Sequence, residues 1–188
     1  MFSKRIERIQ PFRVTEVLNR AAYHERQGLR VIHFEVGEPD FTTAEPIVEA
    51  GQRALAQGRT KYTPAGGIPE LREAIARHYA QMGVHVDAGR VLVTAGASGG
   101  LTLLAGLLVD PGDELLITDP GYPCNEVFAQ LVGGVPKTIP LDASRGFQPD
   151  VVDIEAAWSA QTKGALLASP ANPTGTMLPR KTLANIAA

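Results

Sequence analysis

The chain has 188 residues, 44% of them hydrophobic and 20% charged, with a formal net charge of -2. That composition supports a packed globular core, excludes wholesale disorder, and offers no basic excess for nucleic acid or an anionic membrane. Cys124 is the only cysteine, which excludes an internal disulfide, and the longest strongly apolar run, Leu101 to Val109, is far short of a membrane span.

At the start, Met1 to Arg8 carries charges with no apolar stretch behind them, so no signal peptide is read there and a cytoplasmic protein is expected. Val14, Val17, Leu18 and Ala21 follow helical spacing after Pro11. Val31 to Val36 alternates as a short strand does and runs into the loop Gly37-Glu38-Pro39-Asp40-Phe41. Pro46 stands where a first helical turn tolerates proline, and Ile47, Val48, Ala50, Ala54 and Leu55 carry a helix on to Gly58. The Gly/Pro loop Tyr62-Thr63-Pro64-Ala65-Gly66-Gly67 precedes a further helix, marked by Leu71, Ile75 and Tyr79 at four-residue spacing.

From about Arg90 the pattern changes. Val91–Val93, Leu115–Ile117, Val135–Ile139 and Ala165–Leu167 are short apolar runs bounded by Gly, Pro or Asp. Helical segments are expected between them, at Leu101–Leu108, Asn125–Val132 and Val152–Ser159. Short continuous strands alternating with helices predict an α/β fold whose mainly parallel sheet is covered on both faces. The last residues, Leu183 to Ala188, form an apolar helical pattern without a capping glycine, which predicts a sequence that continues.

Three loops sit where strands end and helices begin, the edge at which such sheets gather ligands. Gly96-Ala97-Ser98-Gly99-Gly100 opens a helix with small residues, so free backbone N–H groups and the Ser98 hydroxyl suit a phosphate. A tight turn that needs glycine for geometry alone accounts for the same string. It also fits the G-x-S-x-G elbow of serine hydrolases, but all four histidines (His24, His33, His78, His85) precede Ser98, where that enzyme order needs one after it. Asp119-Pro120-Gly121-Tyr122-Pro123 fixes an aromatic ring on which a flat heteroaromatic could stack, or which simply packs in a turn. Cys124 beside it has no evident base and reads as packing. Ser169-Pro170-Ala171-Asn172-Pro173-Thr174-Gly175 is a rigid loop in which the Asn172 amide can donate to a phenolate-like oxygen. At least one of its two X-Pro bonds is expected to be cis.

Together with Val36-Gly37-Glu38-Pro39-Asp40-Phe41 and Lys61-Tyr62-Thr63-Pro64-Ala65-Gly66-Gly67, the strings Thr94-Ala95-Gly96-Ala97-Ser98-Gly99, Asp119-Pro120-Gly121-Tyr122 and Asn172-Pro173-Thr174-Gly175 resemble the class I/II aminotransferases of pyridoxal-phosphate (PLP) fold type I. The resemblance covers practically the whole chain and corresponds to the N-terminal part of a family member. It implies a segment 1–45 belonging to the arm and small domain, and a region 46–188 forming part of the large cofactor-binding domain, with its sheet incomplete. It implies that Gly37 meets the substrate carboxylate through its backbone and that Tyr62 reaches the phosphate of the neighbour's cofactor in a homodimer. Ala97, Ser98 and Gly99 would hold the chain's own PLP phosphate, Tyr122 would stack on the pyridine ring, and Asn172 would bond the ring oxygen.

The same resemblance implies transfer of an amino group between an amino acid and a 2-oxo acid. The family's cofactor-binding lysine follows the N-P-T-G loop, after which only thirteen residues remain, and Lys4, Lys61, Lys137, Lys163 and Lys181 stand in other contexts. The chain is therefore expected to be inactive by itself, with no catalytic residue of its own and no metal. Two other readings stand beside this one: a non-catalytic PLP-binding or dimerising part of a regulator, and a hydrolase using Ser98.

Overall fold

The computed structural model describes residues 2–188, and these form two compact units, one made of residues 2–12 and Ser98–Ala188, the other of Arg13–Ala97.

The second unit is helical: α1 (Arg13–Arg26), α2 (Glu45–Ala56) and α3 (Pro69–Gln81). Proline stands in the first turn of both α2 and α3, where its missing N–H costs no helical hydrogen bond. Val31–Val36, expected as a strand, has no β-pairing: among the described residues its alternation finds no neighbouring strand to exchange hydrogen bonds with. Val91–Val93 is likewise extended and outside the sheet. It is tied to its own unit by the Val93 N–H donating to the Gly66 carbonyl at 3.1 Å and by Arg72 Nε donating to the Val91 carbonyl at 2.9 Å.

The first unit holds the sheet. Its elements are α4 (Gly96–Leu108, whose first two residues lie across the unit boundary), β1 (Glu114–Asp119), α5 (Cys124–Leu131), β2 (Val135–Pro140), α6 (Val151–Ala157), β3 (Thr162–Leu166) and α7 (Arg180–Ile186). The strands are parallel in the order β2-β1-β3, with Leu116 opposite Lys137 on one side and Ala165 on the other. Period-two alternation divides β1 between two layers. Leu116 is fully buried with Ile139 and with Ile154 of α6, and Ala157 and Ile186 pack against them. Leu115 faces the other way, lining a cavity of about 180 Å³ with Leu101, Leu104, Ala105 and Leu108 of α4 and Phe128 of α5. Helices on both faces of a parallel sheet make this an α/β unit, as the sequence pattern predicts.

α6 starts at a capping box in which Asp150 and Asp153 bond each other's backbone N–H groups, and Arg145 adds ion pairs to both carboxylates. Among the described residues no helix is long and apolar enough to cross a membrane.

Candidate functional site

The parallel sheet decides where the candidate loops go. β1 and β3 are neighbours running the same way, so the loops that follow them leave from one edge. The first contains Gly121 and Tyr122, the second Asn172. A short connection around Pro111 and Gly112 joins the end of α4 to the start of β1. The helix therefore runs back along the sheet, and its first turn points to the edge where β1 ends. The lengths match, at about 20 Å for the 13-residue helix and about 20 Å for the six-residue strand. Ser98, Gly99, Tyr122 and Asn172 thus gather at one end of the sheet.

Each of the three elements has a local cause. In α4, Gly96 takes a φ of +75°, a left-handed conformation that a side chain would strain, and its carbonyl accepts from the Thr94 hydroxyl at 2.8 Å. Among the described residues the N–H groups of Ala97, Ser98 and Gly99 have no acceptor outside the helix, and no acidic residue stands in the first turn. These donors at the positive helix end suit an anion. The fit for a phosphate is steric as well: Ala97 and Ser98 are exposed, and a Cβ placed on Gly96 would meet nothing within 4 Å. Among the described residues the Ser98 hydroxyl makes no hydrogen bond, while the Ser98 carbonyl accepts from the Thr102 hydroxyl at 2.8 Å.

Tyr122 is half-buried in a loop that begins with the cis bond Asp119–Pro120. Phe12 and Tyr122 pack in a T-shaped arrangement, with centroids 6.2 Å apart and planes at 73°. Hydrogen bonding with the Cys124 thiol, then burial, push the Tyr122 phenol above its ordinary range. The sequence signals neither neighbour in this role. Phe12 is far away along the chain, and the packing read for Cys124 carried no hint of a contact with the phenol.

The Asn172 loop has both expected candidates in the cis form, Ser169–Pro170 and Asn172–Pro173. It is closed by Ala171 N–H donating to the Thr176 carbonyl at 2.8 Å and Gly175 N–H donating to the Ala171 carbonyl at 2.7 Å. The Ser169 hydroxyl accepts from the Leu178 N–H at 2.9 Å, anchoring the loop to the buried Leu178. Asn172 itself is exposed at the tip, with its amide free to meet a ligand.

Gly37 and Tyr62 belong to the helical unit. Gly37 is exposed in the loop after Val36, and Tyr62 is fully exposed in the Gly/Pro loop before α3. No side-chain cluster suited to a metal ion occurs among the described residues.

The sequence profile of the family described as "Aminotransferase class I and II" matches residues 30–188. A "Probable aspartate/prephenate aminotransferase" of Thermus aquaticus is 38% identical over 186 residues, covering 98% of this chain and 49% of that protein. A "(5-formylfuran-3-yl)methyl phosphate transaminase" of Methanocaldococcus jannaschii is 37% identical over 182 residues, 96% of this chain and 47% of that one. Among solved structures, the aspartate aminotransferase of Thermus thermophilus with maleate superposes with a TM-score of 0.95 at 36% identity, over 100% of this chain and 49% of its own. The chain spans about half the length of the curated relatives it matches.

Proposed function

The chain belongs to the class I and II aminotransferases, a PLP-dependent family, and from that premise we propose that it supplies the cofactor floor of an enzyme that moves an amino group between an amino acid and a 2-oxo acid. The topology supports the reading: β1 and β3 are parallel neighbours, so the Tyr122 and Asn172 loops that follow them leave from one edge of the sheet, the edge toward which the Ser98 and Gly99 end of α4 is inferred to run. A phosphate, an aromatic face and a ring oxygen are the features of PLP that these three elements complement.

When bound, PLP supplies the carbonyl that captures an amino group and the ring that accepts the electrons of a broken Cα–H bond. The residues of this chain bind and orient. The N–H groups of Ala97, Ser98 and Gly99, with the Ser98 hydroxyl, hold the phosphate. Tyr122 sets the plane of the ring, and its T-shaped contact with Phe12 helps to hold the tyrosine in place. Asn172 donates to the ring oxygen from a loop closed on itself. The Gly37 N–H is offered to the substrate carboxylate, and Tyr62 reaches the phosphate site of a second copy in a cytoplasmic homodimer. Residues 46–188 provide part of the large domain and residues 1–45 the arm and part of the small one.

The substrates named for the relatives differ among themselves, so no single amino donor carries over from them. The test uses the complete polypeptide that carries these residues, with PLP, a panel of amino acids and 2-oxoglutarate, following glutamate formation. Amino transfer from at least one donor is expected, and the 188-residue chain alone should give none. Absence of transfer from every donor, with ester hydrolysis lost in Ser98→Ala, would replace this reading with the hydrolase.

A further inference from the structure

Residues 30–43 lie between α1 and α2 and belong to no helix or strand. Among the described residues none of them makes a backbone-to-backbone hydrogen bond; the last before them is Leu29 N–H to the His24 carbonyl, the first after them Ile47 N–H to the Ala44 carbonyl. With no backbone-to-backbone bond there, side-chain hydrogen bonds are what tie the segment to α1 within the described residues. The side-chain hydrogen bonds within it converge on one imidazole. His33 Nδ1 lies 2.5 Å from Glu35 Oε1, and His33 Nε2 lies 2.9 Å from Glu25 Oε1 in the last turn of α1.

A neutral imidazole has a single N–H, and an ionised carboxylate can only accept. Two carboxylates on the two ring nitrogens therefore require both to be protonated. Glu25 and Glu35 are the charged groups that act on the ring, one from α1 and one from its own segment. The Glu35 side chain is only 9% exposed, against 43% for His33, so the tie is drawn on its inner side and keeps an ionised carboxylate from lying there unpaired.

We propose that His33, as an imidazolium gripped at both ends, is a pH-sensitive positioning residue that pins segment 30–43 to the end of α1 and so fixes the Gly37 loop. Its bearing on substrate binding rests on the reading of Gly37 given above; the pin itself does not. The hydrogen bonds to Glu25 and then Glu35 raise the His33 pKa to about 9, and the bond from His33 lowers that of Glu35. With the histidine's folded pKa above its ordinary 6.5, the pin is fully present below about pH 6.5 and is lost as pH rises through 9.

The experiment is an NMR titration of the His33 ring in the 188-residue chain, with backbone ¹⁵N relaxation of residues 31–41 recorded at each pH. His33 should titrate near 9, and the midpoint should fall toward 6.5 in Glu25→Gln and again in Glu35→Gln. Order in residues 31–41 should drop with the same midpoint, while α1 stays rigid, and His33→Ala should show the loose segment at every pH. A wild-type midpoint near 6.5, or segment order that ignores the charge on His33, would overturn the proposal. The wild-type titration decides even if a variant fails to fold. Neither readout involves a substrate, so loss of the Gly37 reading alone would leave both results in place.

Discussion

Tyr122 owes its place to the residue before it. A Cβ on Gly121 would run into the carbonyl oxygen of Thr118 and stand 3.2 Å from the Thr118 hydroxyl, so the loop can turn tightly at the end of β1 only with glycine there. Gly121→Ala is expected to lower stability by roughly 1–3 kcal/mol, the usual cost of forcing atoms into a filled space, and to weaken PLP binding by moving the ring. Urea unfolding and a PLP titration of the same variant check both; an unchanged urea midpoint would show that the turn can relax. Part of this was legible in the sequence. Proline and glycine around Tyr122 and Asn172 announce rigid loops because those residues restrict the backbone by themselves. The Thr118 carbonyl opposite Gly121, and Phe12 packed against the Tyr122 ring, are facts of tertiary placement that no local pattern encodes.

The sheet elements were readable where their partners are present. The runs at Leu115, Val135 and Ala165 became strands because each has a parallel neighbour, whereas Val31–Val36 and Val91–Val93 carry similar patterns without one. Pattern specifies a half-buried extended segment; pairing needs another strand in reach. At the end of the sheet away from the Tyr122 and Asn172 loops, the three strands are tied by a polar knot. Glu114 Oε2 accepts from the Ser159 hydroxyl at 2.6 Å, the Thr162 hydroxyl at 3.1 Å and Lys137 Nζ at 3.2 Å. The hydrogen bonds from Ser159 first and Lys137 second hold the Glu114 carboxyl below its ordinary range. A depressed folded pKa contributes stability above the unfolded value of about 4.5 and loses it as pH falls through the folded one. Glu114→Ala should therefore lower the melting temperature at pH 7, and its gap from wild type should narrow below about pH 4.5. A gap that stays constant down to pH 3 would show that the charge of the knot contributes nothing.

On the scale of the molecule, the two edges of the sheet differ. β2 carries Pro136 and Pro140, which have no N–H to offer a further strand, and Lys137 between them. β3 has no proline, and Lys163 to Leu166 line the apolar cavity with Leu101, Leu104 and Leu108. Leu103, Leu104, Leu107 and Leu108 are all at least half exposed on α4. Exposed apolar surface beside an unpaired strand favours association. In size-exclusion chromatography the 188-residue chain should elute above its 20.0 kDa mass, and Leu104→Lys should shift it toward the monomer. Elution of wild type as a monomer at all concentrations would contradict this.

If Ser98, Tyr122 and Asn172 form the floor of a PLP site, equilibrium binding of PLP to the chain must depend on them. Absorbance and fluorescence titrations of wild type, Tyr122→Ala and Asn172→Ala, with pyridoxal lacking the phosphate as control, give the comparison. Saturable binding of one PLP per chain is expected, weaker without the phosphate. Tyr122→Ala should weaken it about fivefold, as loss of about 1 kcal/mol of aromatic contact implies. Binding that ignores the phosphate and both substitutions would contradict the account.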